Sequence, residues 1–262
     1  MLEPARARDI AVEVAALASA ALLEGWGNAG QVRSKEHATD LVTEWDGRIE
    51  ALIARELSAR APGVPQLGEE LGGAADARGQ RWVVDPVDGT VNFAHGLPLF
   101  GISISLERDG APEAGVVAAP ALGWTWAAAL GQGATRNGAP IRVSATARLD
   151  QAMLVTGFPY DRRESPRNNF AAFTHMQLHA GAVRRLGAAS LDLCFVATGW
   201  LDGYWEVKLK AWDLSAGALI VREAGGAVSA LDGGPFASAS GEIIASNGAL
   251  HERLVAELAG RV

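Results

Sequence analysis

The stretch Trp82-Val83-Val84-Asp85-Pro86-Val87-Asp88-Gly89-Thr90 runs an apolar strand into a tight turn and brackets a proline with two carboxylates three residues apart. Pro86 fixes its own φ and keeps Asp85 extended, out of helical geometry. Gly89 permits a sharp bend just afterwards. Such a turn can fold Asp85, the Val87 carbonyl and Asp88 around one point, a set of hard oxygen donors suited to Mg²⁺. A helix opening at Gly89-Thr90 would aim free N–H groups at the same place, where a phosphate could dock. The same residues also make an ordinary turn, with aspartate as a helix cap and Pro, Asp and Gly in their usual turn roles. The nonapeptide alone leaves both readings open.

Two further acidic segments bear on the choice. Gly68-Glu69-Glu70 ends a short predicted strand, Gln66–Gly68, and Lys210-Ala211-Trp212-Asp213-Leu214-Ser215-Ala216-Gly217 places an acid at a helix start. Singly, paired glutamates read as solvated surface and Asp213 as a helix cap. If Glu69, Asp85, Asp88 and Asp213 converge, they cannot all stay ionised unaided. Two like charges at ~4 Å repel by about 4 kcal/mol at an effective dielectric near 20. Either their pKa values rise or divalent cations sit between them.

Around these segments the chain reads as alternating helices and strands. Ile10, Val14, Leu17 and Ala21 recur at helical spacing before Gly25 and Gly27, which favours an amphipathic first helix over a cleaved leader. Thr43 opens a second helix to Leu57, with Asp46 three residues on and Trp45, Ile49, Leu52 and Ile53 on one face. Leu99–Leu106 alternates Phe100, Ile102, Ile104 and Leu106 against Ser103 and Ser105. Asp109-Gly110 and Asn137-Gly138 are turn and hairpin signals flanking strands near Gly115–Ala119 and Trp124–Leu130. The second half predicts helices from Glu164 to His179, Ala188 to Ala197 and Trp212 to Glu223, strands near Met153–Thr156, Tyr204–Val207 and Ile243–Ser246, and a C-terminal helix. The middle reads as antiparallel hairpins, so the expected fold class is α/β of the layered α+β kind, with helices and mixed β-sheets alternating. No linker breaks the chain, which predicts one domain over 1–262 with two lobes meeting near residue 148.

Composition narrows the partners. With 262 residues, 49% hydrophobic content and a formal charge of −7, the chain can bury a core and is poorly suited to holding nucleic acid by charge. The single cysteine, Cys194, excludes an internal disulfide framework and a cysteine-rich zinc site. No apolar run reaches the ~18 residues of a membrane span. The expected location is cytoplasmic.

The joint pattern resembles the inositol monophosphatase family, Mg²⁺-dependent and Li⁺-sensitive phosphomonoesterases. The matching segments are Gly68-Glu69-Glu70, Asp85–Thr90 with Asn92-Phe93, and Trp212-Asp213 with Ala216-Gly217. Lys35, Asp40–Thr43, Asp46, Gly187–Ser190, Tyr204–Glu206, Val221–Gly226 and Ile244–Asn247 extend the match to nearly the whole chain. The resemblance implies the sandwich fold shared with fructose-1,6-bisphosphatases. It implies a first Mg²⁺ on Glu69, Asp85 and the Val87 carbonyl, a second on Asp85, Asp88 and Asp213, and a weaker third near Glu69. It also implies in-line attack of an activated water on phosphorus. Thr90, paired with Asp46, would orient or deprotonate that water together with Glu69. The Gly89 and Thr90 amides would hold the phosphate, and Ala189 and Glu206 would face the substrate, with Glu206 accepting bonds from its hydroxyls. The implied substrate is a small phosphorylated polyol or sugar, foremost myo-inositol monophosphate, and the implied assembly a homodimer. Fructose 1,6-bisphosphate, histidinol phosphate or, least favoured, adenosine bisphosphate hydrolysis, and a regulatory binding protein that has kept the fold, are the alternatives.

Other signals carry less. His175 and His179 stand four apart, but Met176 occupies the place of the glutamate in a His-Glu-x-x-His zinc motif. Gly131-Gln132-Gly133 lacks the third glycine of a dinucleotide loop and reads as a hairpin turn. Arg184-Arg185 reads as solvated surface, with attraction of an anionic substrate or interface ion pairs as the other options, and Asp192 and Asp202 read as structural or solvated acids. Ala211, just after Lys208 and Lys210, stands where bacterial members of the family often carry a proline. Gly115–Ala121 lacks the polar and aromatic residues common there.

Overall fold

The computed structural model describes residues 1–35, 37, 39–73 and 78–262. The helices are α1 (Pro4–Gly25), α2 (Glu44–Arg60), α3 (Thr90–Ala94), α4 (Phe170–His179), α5 (Ala189–Ala197), α6 (Ala211–Glu223) and α7 (His251–Leu258). The first-half strands are β1 (Val32–Ser34), β2 (Leu41–Thr43), β3 (Gln66–Gly68), β4 (Gly72–Gly73), β5 (Gln80–Asp88), β6 (Gly101–Arg108), β7 (Ala111–Ala119), β8 (Trp124–Ala129), β9 (Ala134–Arg136) and β10 (Ala139–Pro140). The second half adds β11 (Met153–Thr156), β12 (Ala182–Arg184), β13 (Gly203–Val207), β14 (Ala227–Ser229) and β15 (Glu242–Ser246).

Strands β3–β10 form one sheet in the order β10-β9-β8-β7-β6-β5-β3-β4, antiparallel except where β3 runs parallel to β5. The other large sheet, β12-β11-β13-β15-β14, is mixed. Because strand side chains alternate faces, successive residues feed different cores. Ile102, Ile104, Val116 and Ala118 pack under α1 and α2, whereas Val117, Trp126 and Ala128 face α5 and α6. Across those helices, Val155, Tyr204, Ile243 and Ala245 close the same core, while Leu154, Trp205 and Ile244 point outward to α4 and α7. The result is five layers, helix–sheet–helix–sheet–helix, as the layered α+β expectation requires.

The serine face of β6 is buried rather than solvated. Ser103 Oγ donates to the Trp212 carbonyl at 3.0 Å, and the Ser105 and Ser215 hydroxyls meet at 2.7 Å, so these polar positions dock α6 onto the sheet. Both two-residue hairpin signals hold, with Asp109-Gly110 and Asn137-Gly138 all at positive φ. The helix expected from Glu164 starts only at Phe170. Pro166 interrupts the intervening turns, and Asn169, at φ 69°, precedes the first helical residue. The short strands β1, β4, β12 and β14 carry too few residues to show a period.

One buried ion pair pins the sheet. Arg81 donates to Glu107 Oε2 through Nε at 3.1 Å and Nη2 at 2.8 Å, and Ser238 Oγ donates to Glu107 Oε1 at 2.6 Å. Glu107→Ala removes the buried carboxylate to which both Arg81 and Ser238 donate, a loss of about 3–5 kcal/mol. Thermal unfolding of that variant is expected about 10 °C below the parent.

Candidate active site

Strand geometry alone would put Asp85 and Asp88 on opposite faces, since residues three apart differ by an odd number of steps. The pairing with β6 shows what changes this. Asp85 opposes Ser103 and Asp88 opposes Gly101, so three steps on β5 match two on β6, which is a β-bulge. Pro86, lacking an N–H, falls inside that bulge, where a ladder bond is dispensable. The extra residue returns Asp88 to the side of Asp85, and the Val87 N–H donates to Asp85 Oδ1 at 2.9 Å.

The other acids arrive from neighbouring elements. Gly68 pairs with Val84 across the parallel β3–β5 ladder, so Glu69 leaves β3 beside Asp85. Asp213 is the third residue of α6 and caps the helix start from there, accepting from the Lys210 N–H at 2.7 Å through Oδ2. Carboxylate oxygens of Asp85, Asp88 and Asp213 lie within 4.8 Å of one another. Asp88 is held from α5: Oδ1 accepts from Ala189 N at 3.1 Å, and Oδ2 from Ser190 N at 2.8 Å and from the Ser190 hydroxyl.

Burial and mutual repulsion govern their protonation. Burial, then the charges of Glu69, Asp88 and Asp213, pushes the Asp85 carboxyl far above the usual carboxylate range. Burial followed by Glu69 and Asp88 does the same to Asp213. Asp88 is raised by burial against the opposing pull of its α5 hydrogen bonds. Glu69 is lifted by burial to about 7, although Lys35 Nζ, 2.7 Å from its Oε1, works the other way. A crowded set of buried carboxylates that must otherwise take up protons is the donor chemistry of a hard divalent cation.

A second cluster borders the first. The α2 capping box expected from Thr43 and Asp46 is present, with Thr43 N and Oγ1 donating to Asp46 Oδ2 at 2.8 and 2.6 Å. The free oxygen, Oδ1, faces Thr90 Oγ1 at 3.2 Å, and the Thr90 hydroxyl also lies 2.9 Å from the Val87 carbonyl. Burial raises the Asp46 pKa, with the Thr43 bonds opposing. Gly89 has φ 84°, and a Cβ there would press on the Leu99 and Gly187 carbonyls at 3.0 and 3.1 Å. The α3 helix opens directly after it, as the sequence suggested, but spans only five residues.

Glu69, Asp85, Val87, Asp88, Gly89, Thr90 and Asp213 line one cavity of about 470 Å³ with Lys35, Ala189 and Glu206. Glu206 lines the same cavity as the carboxylate cluster. Tyr204 donates to its Oε2 at 2.7 Å, leaving Oε1 available, and burial lifts Glu206 to about 7 against that bond and the Arg185 charge. Among the expected site residues, only Asp46 is not part of the lining. It reaches the cavity through Thr90.

Several participants escaped the sequence reading. Glu50 accepts the Glu70 and Leu71 amides at 2.7 and 2.9 Å, fixing the turn that carries Glu69. Gly157 backs onto Glu206, and a Cβ at that position would fall 2.0 Å from its Oε1. Nothing in a lone buried glutamate or a lone glycine marks either role in advance. Arg184 and Arg185 are both exposed, as the solvated-surface reading has it, and Arg185 also lines the cavity, the position the anionic-substrate option requires. Asp202 is structural, accepting from Met153 N and Ser144 Oγ, and Asp192 is buried on α5. His175 and His179 stack on each other away from the site, with His175 against Glu257.

This fold and cleft define a phosphomonoester hydrolase with an acidic centre. The chain belongs to the inositol monophosphatase family, whose sequence profile matches residues 3–261. It is 44% identical to an inositol-1-monophosphatase of Synechocystis sp. strain PCC 6803 over 96% of this chain and 88% of that protein. The inositol monophosphatase of Anabaena (Nostoc) sp. PCC 7120 superposes with a TM-score of 0.87 at 41% identity, covering 96% of this chain and 94% of that one. The extragenic suppressor protein suhB of Bartonella henselae gives 0.90 at 36% identity, over 97% and 98%. No described helix is long and apolar enough to cross a membrane.

Proposed function

We propose that the protein hydrolyses myo-inositol monophosphate to inositol and phosphate with Mg²⁺. The observation that carries the reading is the convergence of Asp85, Asp88 and Asp213 beside Gly89-Thr90, with Glu206 in the lining of the same cavity. Glu69, Asp85 and the Val87 carbonyl would hold one Mg²⁺, and Asp85, Asp88 and Asp213 a second. Bound there, Mg²⁺ supplies positive charge that offsets the phosphate and makes a neighbouring water more acidic.

The chain's own groups do the rest. Gly89 and Thr90 present backbone to the phosphate at the turn where α3 begins. Thr90 Oγ1, bonded to Asp46 Oδ1, orients the attacking water and passes its proton toward Asp46, with Glu69 as the second acceptor. Glu206 Oε1 accepts from the polyol hydroxyls while Tyr204 holds Oε2 in place, and Asp213 and Ala189 border the same space. The names of the relatives support an inositol phosphate over fructose 1,6-bisphosphate, histidinol phosphate or a purely regulatory role.

The test is phosphate release from inositol 1-phosphate with and without Mg²⁺, repeated with millimolar Li⁺. Release that needs no divalent metal would refute the reading. The reading carries with it a cytoplasmic homodimer, checked by light scattering. Gly157→Ala offers a local check on the polyol side. The added methyl must displace the Glu206 carboxylate, so KM for inositol 1-phosphate is expected to rise about tenfold with kcat nearly unchanged, the pattern of lost uniform binding.

A further inference from the structure

Among the described residues other than glycine, Asp109, Asn137, Asn169 and Lys208 stand in the left-handed region of φ. Aspartate and asparagine tolerate that conformation because their short polar side chains bond the nearby backbone. Lys208, at φ 60°, has no such help. A strained residue of this kind persists only where its surroundings hold it, and such residues gather at binding sites. Lys208 directly follows β13, two residues after Glu206, and lines the same cavity.

What holds it is the loop between β11 and α4. The Lys208 ammonium donates to Asp161 Oδ2 and to Ser165 Oγ, both at 2.6 Å. A local turn presents these acceptors together, because the Asp161 carbonyl accepts the Glu164 and Ser165 amides at 2.9 Å. Asp161 Oδ1 is buried without a hydrogen-bond partner among the described residues, so this carboxylate leans on its pairing with Lys208. The base of the loop is fixed separately. Asn169 Nδ2 donates to Thr156 Oγ1 at 2.8 Å and to the Gly157 carbonyl at 2.6 Å, and its Oδ1 accepts from Trp205 Nε1 at 2.8 Å. Arg167 reaches Glu242 on β15, and Thr39 reaches the Tyr160 carbonyl. The tie from Lys208 runs to the strand end that carries Glu206. Phe158, Pro159 and Tyr160, on the same loop, line the cavity.

We propose that Lys208 is a positioning residue: it latches the 157–169 loop and so sets how large a polyol the cavity admits. The ammonium holds Asp161 to the end of β13, which keeps Phe158, Pro159 and Tyr160 in the wall around Glu206, and the strain at Lys208 is the cost of that reach. A half-exposed ion pair adds little to global stability, so the latch governs the place of a wall rather than folding. Closed, it favours a compact ring. Open, it holds a small polyol less firmly and admits a bulkier ester. The size limit rests on the phosphatase reading, whereas the latch does not.

The experiment compares Lys208→Met, Asp161→Asn and Lys208→Arg with the parent chain in two assays. Limited trypsin digestion, with cleavage after Arg162 and Arg163 followed by mass spectrometry, reads the loop without metal or turnover. Nicking there is expected about fivefold to tenfold faster in Lys208→Met and Asp161→Asn and near the parent rate in Lys208→Arg, with Tm within about 2 °C throughout. Because the two charges act as one pair, the double variant should nick no faster than either single one. Kinetics with Mg²⁺ read the site. The ratio of kcat/KM on adenosine 2′-phosphate to that on inositol 1-phosphate should rise about tenfold in Lys208→Met and Asp161→Asn, chiefly through KM, and return toward the parent ratio in Lys208→Arg. Parent nicking rates in both of the first two variants overturn the latch. Faster nicking with an unchanged substrate ratio overturns the size limit and leaves the phosphatase reading standing. A parent that releases phosphate from neither ester refutes that reading and the size limit with it, while the digestion still decides the latch.

Discussion

Asp88→Asn is expected to lower kcat/KM on inositol 1-phosphate at least about a thousandfold and to abolish the rise in Tm that Mg²⁺ gives the parent, while the metal-free protein stays folded. A thousandfold is about 4 kcal/mol of transition-state stabilisation, a reasonable loss for one charged ligand in a buried centre. Two opposing effects set the stability of the metal-free variant. The asparagine amide turns a donor toward the Ser190 N–H that now approaches Asp88 Oδ2 at 2.8 Å, a mismatch of about 1–3 kcal/mol. Against it, removal of one charge relieves repulsion among carboxylates whose oxygens lie within 4.8 Å. The two offset, so Tm in chelator should move by only a few degrees. A variant that keeps a tenth of the activity together with the full Mg²⁺-induced shift would remove Asp88 from the metal site.

The role given to Asp88 also shows which parts of the site could be read from the chain. The two aspartates, the proline between them and the glycine after them sit in one short segment, and local chemistry already implies a turn lined with oxygens. The capping box of Thr43 and Asp46 is similarly local, and the structure adds only that its spare oxygen meets Thr90. What the sequence could not display is partnership across the layers. Ser190 clamps Asp88 from 102 positions away, and Glu50 holds the turn after β3 from 20 positions away, because the stacking of α5 and α2 on the sheets brings them there. The same limit explains the Ser103–Ser105 face, whose polar alternation suggests solvent until α6 covers it. Arg184-Arg185 shows a related limit. Adjacent residues at a strand end point in different directions, and of the two only Arg185, just past β12, enters the cavity lining.

Between pH 5.5 and 8 the metal-free protein is expected to lose stability as the pH rises, while the Tm increment from Mg²⁺ grows. The sign follows from the direction of the shifts. Glu69, Asp85 and Asp213 all have folded pKa values above those of an unfolded chain, so the folded state binds more protons. Their contribution is fully present below about pH 4, where folded and unfolded forms are both protonated, and is lost as the pH climbs through the folded values. For Glu69 that loss centres on about 7, and for the two aspartates it extends higher. Mg²⁺ must displace those same protons, so its apparent affinity should rise at least about tenfold per pH unit while one proton is exchanged, and about a hundredfold where two are. Across two units the accumulated change exceeds any expected from a single surface charge. Differential scanning fluorimetry of the protein in chelator and in saturating Mg²⁺ at half-unit pH steps gives both curves, and Glu69→Gln should flatten the part of the metal-free curve centred near pH 7. A Mg²⁺ increment independent of pH would mean that the cation binds without displacing protons from this cluster. The three aspartates would then not be its ligands.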